Sequence, residues 1–150
     1  MIEKTFSIPS EDEMLALGKR LGALSEREMF FALYGDLGAG KSVFARGFAS
    51  AFGVASLTSP TFTIVSEYPT HPRLCHFDAY RLSDEDELYA IGFTDYLDGD
   101  SILLMEWANL VAGCLPKERM DIFIEGSGMQ RRTVVLVPHG ARYEKMLECL

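Results

Sequence analysis

A glycine-rich segment that ends in lysine and serine carries the most specific chemistry in this chain. Residues 35–42 read G-D-L-G-A-G-K-S, which matches the spacing G-x-x-x-x-G-K-[ST] of a phosphate-binding loop. In such a loop, successive backbone N–H groups point into a concavity, and the helix that follows adds partial positive charge at its N-terminus. Lys41 then reaches the terminal phosphates, and the Ser42 hydroxyl ligates Mg²⁺. The predicted nucleotide contacts are Gly35, Asp36, Leu37, Gly38, Ala39, Gly40, Lys41 and Ser42.

Two carboxylates are the next candidates for chemistry at such a site. Glu106 follows four apolar residues, 102–105, which predict a buried strand; an acid there, opposite a phosphate-binding loop, holds Mg²⁺ directly or through water. Asp78 stands in a predicted strand although aspartate is depleted from strands, which marks it as a candidate functional residue. We assign Glu106 to Mg²⁺, and Asp78 to orientation of the attacking water or to the outer shell of the metal. Exchanged roles are the main alternative. Trp107 could equally serve in packing or as a surface for a partner, and the sequence does not decide between the two.

The residues on both sides of the loop predict the elements that position it. Residues 29–34 form a continuous apolar run of strand length, which is typical of a central parallel strand covered on both faces. After the loop, apolar residues recur at helical spacing until Gly53 offers a stop. These residues are Phe44, Phe48, Ala51 and Phe52. A glycine-rich turn with a solvated lysine would not require this order, so we favour the phosphate-binding interpretation.

The rest of the chain supplies further strands and helices. Ser10 is predicted to cap one helix, and Ser83, with the acids after it, to begin another. The remaining predicted elements are an opening strand at 5–8, a β-hairpin within 58–80, a turn or short helix at 93–97, an antiparallel pair at the sheet's edge from 120–125 and 133–137, and a closing helix at 143–150. Together they predict an α/β, P-loop NTPase-like three-layer fold. We expect a mostly parallel central sheet with added antiparallel hairpins, in a single domain spanning 1–150.

The composition limits the classes of partner and the cellular compartment that we expect. The chain has 150 residues, with 22 acidic and 14 basic side chains and a net charge of −8. Direct nucleic-acid binding normally needs a basic surface and is therefore disfavoured, whereas a role beside a more basic partner stays open. Three scattered cysteines indicate reduced thiols, and we find no signal peptide or membrane span, so we expect a cytoplasmic protein. The three histidines, His71, His76 and His139, lack zinc-ligand spacing and are interpreted as loop or sheet residues.

Several motifs occur together in an order typical of one family. Besides the loop, they are S-P-T-F-T at 59–63, H-F-D-A-Y-R at 76–81, I-G-F-T-D-Y-L at 91–97 and E-W at 106–107. With the segment before the loop, they cover residues 9–107 and resemble the TsaE (YjeE) family of bacterial P-loop ATPases. One departure is Ser42-Val43, where the family usually has two threonines, but serine ligates Mg²⁺ equally well. The proline-fixed bend at 59–63 brings hydroxyls to where a switch segment would approach a γ-phosphate, so Thr61 is placed as its sensor.

The resemblance implies an ATP site with Mg²⁺ as cofactor. ATP is favoured over GTP because no guanine-reading N-K-x-D motif occurs. In the family, an arginine that opens the last strand lies near the nucleotide. Arg132 matches best and Arg131 is the alternative, because adjacent residues of a strand point to opposite faces. The predicted catalytic residues are Lys41, Thr61, Asp78 and Glu106.

The resemblance also implies a function. Members act with a TsaB–TsaD complex in making threonylcarbamoyladenosine in tRNA, with ATP hydrolysis resetting the complex between turnovers. Hydrolysis is expected to be weak without the partners, and tRNA to be met only through the complex. The alternative is a P-loop small-molecule kinase, although the dispersed arginines Arg73, Arg81 and Arg119 do not indicate the arginine-bearing lid of such enzymes. A nucleotide-gated interaction module without useful hydrolysis overlaps with the first hypothesis.

Overall fold

The described residues form a single mixed sheet with helices on its faces. A computed structural model of the chain describes residues 2–36, 38–57 and 64–150. In these ranges the strands are β1 (Lys4–Ile8), β2 (Phe30–Tyr34), β3 (Val65–Tyr68), β4 (Leu74–Asp78), β5 (Ile102–Glu106), β6 (Arg119–Glu125) and β7 (Arg132–His139). The helices are α1 (Glu11–Leu24), α2 (Lys41–Ser50), α3 (Glu85–Ala90), α4 (Phe93–Leu97) and α5 (Ala141–Glu148), with a 3₁₀ helix at Ala108–Cys114.

The sheet has a parallel centre and antiparallel margins. Its strand order is β1-β7-β6-β2-β5-β4-β3. The four strands β6, β2, β5 and β4 run parallel to one another, while β3, β7 and β1 each pair antiparallel with a neighbour. This confirms the predicted α/β class with a mostly parallel central sheet. Because parallel strands end at the same edge, the residues that follow β2, β4, β5 and β6 meet there.

The position of the second antiparallel pair differs from the sequence-based expectation. The pair β6–β7 was predicted at the edge of the sheet, but β6 lies beside β2 and the N-terminal strand β1 adds outside β7. The strand period of residues 5–8 indicates a strand without indicating its neighbour, so this placement comes from tertiary pairing. The edge prediction is therefore wrong, and the pair lies inside the sheet.

Two apolar cores, one on each face, explain the unbroken apolar sequence of β2. Phe31 and Leu33 belong to the core under α1, α2 and α5, whereas Phe30 and Ala32 belong to the core under α3, α4 and the 3₁₀ helix. Phe48 of α2 packs on Phe31 with ring centroids 4.9 Å apart. Strand β2 is therefore covered on both faces, as its composition predicts. The helix that follows the loop is fixed to the same strand.

Several local expectations are refined. Ser10 caps α1 by accepting the N–H of Glu13 at 3.2 Å, as predicted. The cap of α3 is Asp84 rather than Ser83, because the Asp84 carboxylate accepts the N–H of Glu87 at 3.0 Å. Strand β4, the second strand of the hairpin predicted within 58–80, ends at Asp78, and Tyr80 lies beyond it in a turn. No helix in the described ranges has the length and apolar character needed to cross a membrane.

Close contact between α1 and α2 sets the position of the helix that follows the loop. Gly47 of α2 lies so near the backbone of Leu15 in α1 that a Cβ at position 47 would overlap the Leu15 carbonyl. The missing side chain therefore lets two backbones touch. Any larger residue must push α2 away from α1.

We expect Gly47→Ala to lower the free energy of unfolding by about 1–3 kcal/mol. The added methyl group would overlap backbone atoms of α1, which cannot move aside as a flexible side chain could. Chemical denaturation measures this change. Gly99→Ala is the matched control, since a Cβ at position 99 would meet its nearest atoms at 3.6 Å, an ordinary contact. Equal stabilities of the two variants would contradict the packing argument.

Candidate functional site

The glycine-rich segment joins the end of β2 to the start of α2, as the motif predicts. Gly40 is the residue before the first turn of α2 and has φ of +112°, a conformation that side-chain-bearing residues rarely adopt. It offers no side chain to cap the helix, so the first N–H groups of α2 stay directed toward the loop. Lys41 and Ser42 open the helix, and Ser42 is exposed. This arrangement can bind an anion.

Lys41 is buried and turns back onto the loop. Its side chain donates to the carbonyl oxygens of Gly35 and Asp36, the second at 3.2 Å, and the residue is 6% exposed. Burial lowers the pKa of the Lys41 ammonium below its usual value, while the negative charges of Glu106, Asp36 and Asp78 raise it in opposition. The structure therefore brings the loop lysine into the electrostatic field of both carboxylates predicted for the site.

Those two carboxylates end neighbouring parallel strands. Glu106 is the last residue of β5 and lies opposite Asp78, the last residue of β4. Glu106 is 5% exposed, whereas Asp78 is half-buried and accepts the N–H of Tyr80 at 3.0 Å. The backbone also joins the two strand ends, since the N–H of Ala79 donates to the Glu106 carbonyl at 3.1 Å. The two acids thus have different surroundings, which suits different roles.

A histidine that sequence reasoning left without a role contacts Glu106. His76 Nε2 lies 2.6 Å from Glu106 Oε2, and the His76 residue is 1% exposed. His76 and Asp78 lie on one face of β4 because side chains alternate along a strand. That same alternation, together with the parallel pairing of β4 and β5, is the signal that could have found the contact. The pairing partner of β4 was not known from the sequence.

Trp107 lies against the loop lysine. Its backbone has φ of +60°, in the left-handed region that a bulky residue rarely adopts, directly after the Glu106 strand end. The Lys41 ammonium is 3.8 Å from the centroid of the indole ring, a cation–π distance, and the Tyr80 ring centroid is 4.9 Å away. Trp107 therefore packs inside the site while it stays half-buried.

The two adjacent arginines point to different places, and only Arg132 reaches the loop. Arg132 donates from Nε to the carbonyl of Ala39 at 3.0 Å and from Nη2 to that of Gly38 at 3.1 Å. Arg131 instead donates to the Ser7 hydroxyl at 3.2 Å. The structure thus favours Arg132 over Arg131 as the arginine beside the predicted phosphate site.

A cavity of about 440 Å³ opens beside the loop on the side of Arg132. Its walls come from the end of β1, the start of α1, the loop and the turn between β6 and β7. They include Pro9, Met14, Gly40, Val43, Met129 and Arg132. The start of α1 therefore lies next to the loop.

A buried carboxylate that sequence reasoning missed anchors the strand before the loop. Tyr34, the last residue of β2, donates its hydroxyl to Asp121 Oδ1 at 3.1 Å. Asp121 also accepts from Arg119 Nε at 2.8 Å and lies 2.8 Å from His139 Nε2. Burial, reinforced by the Asp121 charge, raises the pKa of Tyr34 to about 12. The phenol therefore stays a hydrogen-bond donor at neutral pH, and the loop starts from a fixed strand end.

Two predicted site residues, Leu37 and Thr61, lie outside the described residues. The same holds for the whole S-P-T-F-T motif at 59–63, which is expected to approach a γ-phosphate. The residues that the structure does bring together around the loop are Lys41, Asp78, Glu106, Trp107 and Arg132.

Comparison with known proteins identifies the family. The family model for the threonylcarbamoyl adenosine biosynthesis protein TsaE matches residues 8–134. The chain is 39% identical to the TsaE protein of Bacillus subtilis, over 91% of this chain and 87% of that protein. It is 40% identical to the TsaE protein of Haemophilus influenzae, over 79% of each chain. The crystal structure of Bacillus subtilis YdiB matches with a TM-score of 0.82 and 33% identity, covering 98% of this chain and 93% of that one. The chain belongs to the TsaE family.

Proposed function

We propose that this chain is a Mg²⁺-dependent ATPase that assists tRNA threonylcarbamoyladenosine modification. The observation that carries the proposal is the position of Lys41, buried at the start of α2 and facing the carboxylates that end β4 and β5. A helix start with a lysine and two strand-end acids is the set of groups that phosphoryl transfer uses. Family membership supports the role in threonylcarbamoyladenosine biosynthesis.

Each group has a distinct part in this proposal. The N–H groups of the loop and of the first turn of α2 bind the phosphates, and Lys41 exchanges the carbonyls of Gly35 and Asp36 for phosphate oxygens. Ser42 and Glu106 are the residues that would hold Mg²⁺, with Glu106 using Oε1 because His76 engages Oε2. When bound, Mg²⁺ neutralises charge that develops on the transferred phosphoryl group.

Asp78 and Thr61 complete the site. Asp78 is less buried than Glu106 and lies one strand further from β2, so we assign it to orientation of the attacking water. Its exchange with Glu106 remains the alternative assignment. We propose Thr61 as the γ-phosphate sensor because of its place in the S-P-T-F-T motif at 59–63. The adenine is proposed to enter the cavity between α1 and the β6–β7 turn.

Removing Lys41 and altering Glu106 should affect different steps. We expect Lys41→Ala to abolish turnover and weaken ATP binding about tenfold or more, because a cation is lost from the phosphate site. We expect Glu106→Gln to bind ATP within about threefold of wild type but to lose hydrolysis by about 100-fold or more, since charge stabilisation acts mainly in the transition state. Phosphate release and equilibrium binding measure the two effects.

The exposed residues Lys145 and Glu148 of α5 give matched controls, and Lys145→Ala and Glu148→Gln should behave as wild type. Normal hydrolysis by Glu106→Gln would contradict its assignment to the metal. Accumulation of a phosphorylated metabolite in place of inorganic phosphate would favour the kinase alternative.

The two arginines provide a second, internally controlled test. We expect Arg132→Ala to weaken ATP binding about three- to tenfold, because the carbonyls of Gly38 and Ala39 lose the donors that fix the loop. Arg131→Ala should change the affinity less than about twofold, since its guanidinium contacts Ser7 instead. Fluorescence of Trp107, the single tryptophan, reports binding because its ring touches Lys41. Equal effects of both substitutions would contradict the assignment.

The partners are proposed to be TsaB and TsaD, with ATP hydrolysis resetting their complex between turnovers. A net charge of −8 suits docking on other proteins, with tRNA met through the complex. We expect TsaB and TsaD together to raise ATP hydrolysis about tenfold or more. Repeated rounds of tRNA modification should then require Lys41. Hydrolysis assays with and without the partners and tRNA measure this. Absence of any association on co-purification would contradict it.

A further inference from the structure

His76 is a buried polar residue that has a leucine on two sides. On its face of β4, Leu74 lies on one side and Asp78 on the other, and Leu104 lies directly opposite on β5; both leucines are fully buried. The ring is 1% exposed, and within the part of the chain that is described its Nδ1 has no hydrogen-bond partner. A buried polar atom without a partner costs free energy relative to an aliphatic side chain. A compensating role is therefore needed.

Among the described residues, the ring makes its polar contact with Glu106. The 2.6 Å separation between His76 Nε2 and Glu106 Oε2 is a short, charge-assisted hydrogen bond. An ionised carboxylate only accepts, so Nε2 carries the proton and donates. The ring comes from a strand whose backbone pairs on both sides, with Ser66 on β3 and with Leu104 on β5. The backbone that carries the donor is therefore fixed by the sheet on both sides.

Without this donor, Glu106 has a strong competing partner. The Lys41 ammonium lies in the field of the Glu106 carboxylate inside a buried site, where opposite charges attract more strongly than in water. An unrestrained Glu106 would turn toward Lys41 and form an ion pair. That pair would occupy both the proposed metal ligand and the proposed phosphate cation.

We propose that His76 is a positioning residue for Glu106. It holds Oε2 so that Oε1 stays available to a divalent cation and the carboxylate stays apart from Lys41. The inference rests on the proposed function, because it assigns His76 to the metal-binding step of that same site. His76 does not itself touch the nucleotide or the cation.

Replacements at position 76 that differ in reach separate positioning from packing. The amide nitrogen of glutamine lies about as far from the backbone as Nε2 of histidine, whereas that of asparagine corresponds to Nδ1. We expect His76→Leu and His76→Asn to raise the Mg²⁺ concentration for half-maximal hydrolysis about tenfold and to lower kcat about ten- to 100-fold. His76→Gln should stay within about fivefold of wild type in both. All three should bind ATP in EDTA within about twofold of wild type.

Two measurements are independent of turnover. Binding of Mn²⁺ beside a non-hydrolysable ATP analogue, followed by electron paramagnetic resonance, should weaken about tenfold in His76→Leu and recover in His76→Gln. Nitrogen NMR of the nucleotide-free protein should show His76 with its proton on Nε2. Thermal unfolding of each variant identifies any loss due to misfolding.

The outcomes are distinguishable. Wild-type Mg²⁺ dependence and Mn²⁺ affinity in a folded His76→Leu would overturn the inference, as would a proton on Nδ1 or equal behaviour of the glutamine and asparagine variants. A wild-type chain that neither binds nor hydrolyses ATP would overturn the proposed function itself. If the wild-type chain hydrolyses ATP and His76→Leu does so with the same Mg²⁺ dependence, the proposed function stands and only the role of His76 is overturned.

Discussion

The site around the loop depends on Lys41, a lysine whose charged ammonium group is buried. Lys41 is 6% exposed, and burial disfavours its ammonium form. Three influences offset that cost: the carbonyls of Gly35 and Asp36, the face of the Trp107 ring, and the negative charges of nearby carboxylates. They come from the loop, from the end of β4, and from the end of β5 with the residue after it. A cation supported in this way can meet a phosphate without first losing a full hydration shell, which is how preorganised charge acts in catalysis.

Packing far from the charge keeps it in place. The start of α2 is held because Phe48 packs on β2 and because Gly47 lets the backbone of α2 touch that of α1. The strand before the loop is held by the bond between Tyr34 and the buried Asp121. The loop therefore spans two fixed ends. Its geometry is set by apolar contacts and one buried polar cluster as much as by its own glycines.

Local sequence patterns predicted the helices, the strands and several residues that lie around the loop. They did not predict which distant segments pair with one another. The motif spacing places Lys41 at a helix start, and the rule for parallel strand ends places Glu106 near it; both follow from short stretches of sequence. The neighbour of β1 and the partner of His76 depend on strand order and register, which no local period encodes. The cap at Asp84 instead of Ser83 is a shift of one residue between two good capping side chains.

Three of the described polar side chains around the loop, Lys41, His76 and Arg132, already have internal partners, and this shapes how a ligand would bind. Arg132 donates to the carbonyls of Gly38 and Ala39, and His76 bonds one oxygen of Glu106; a phosphate need not break either contact. Lys41 differs, because its bonds to Gly35 and Asp36 use the donors that a phosphate requires. Binding therefore exchanges one set of hydrogen bonds for another, and its net free energy is a difference between them. Of these three side chains, Lys41 is the one that would have to change partners to bind a phosphate.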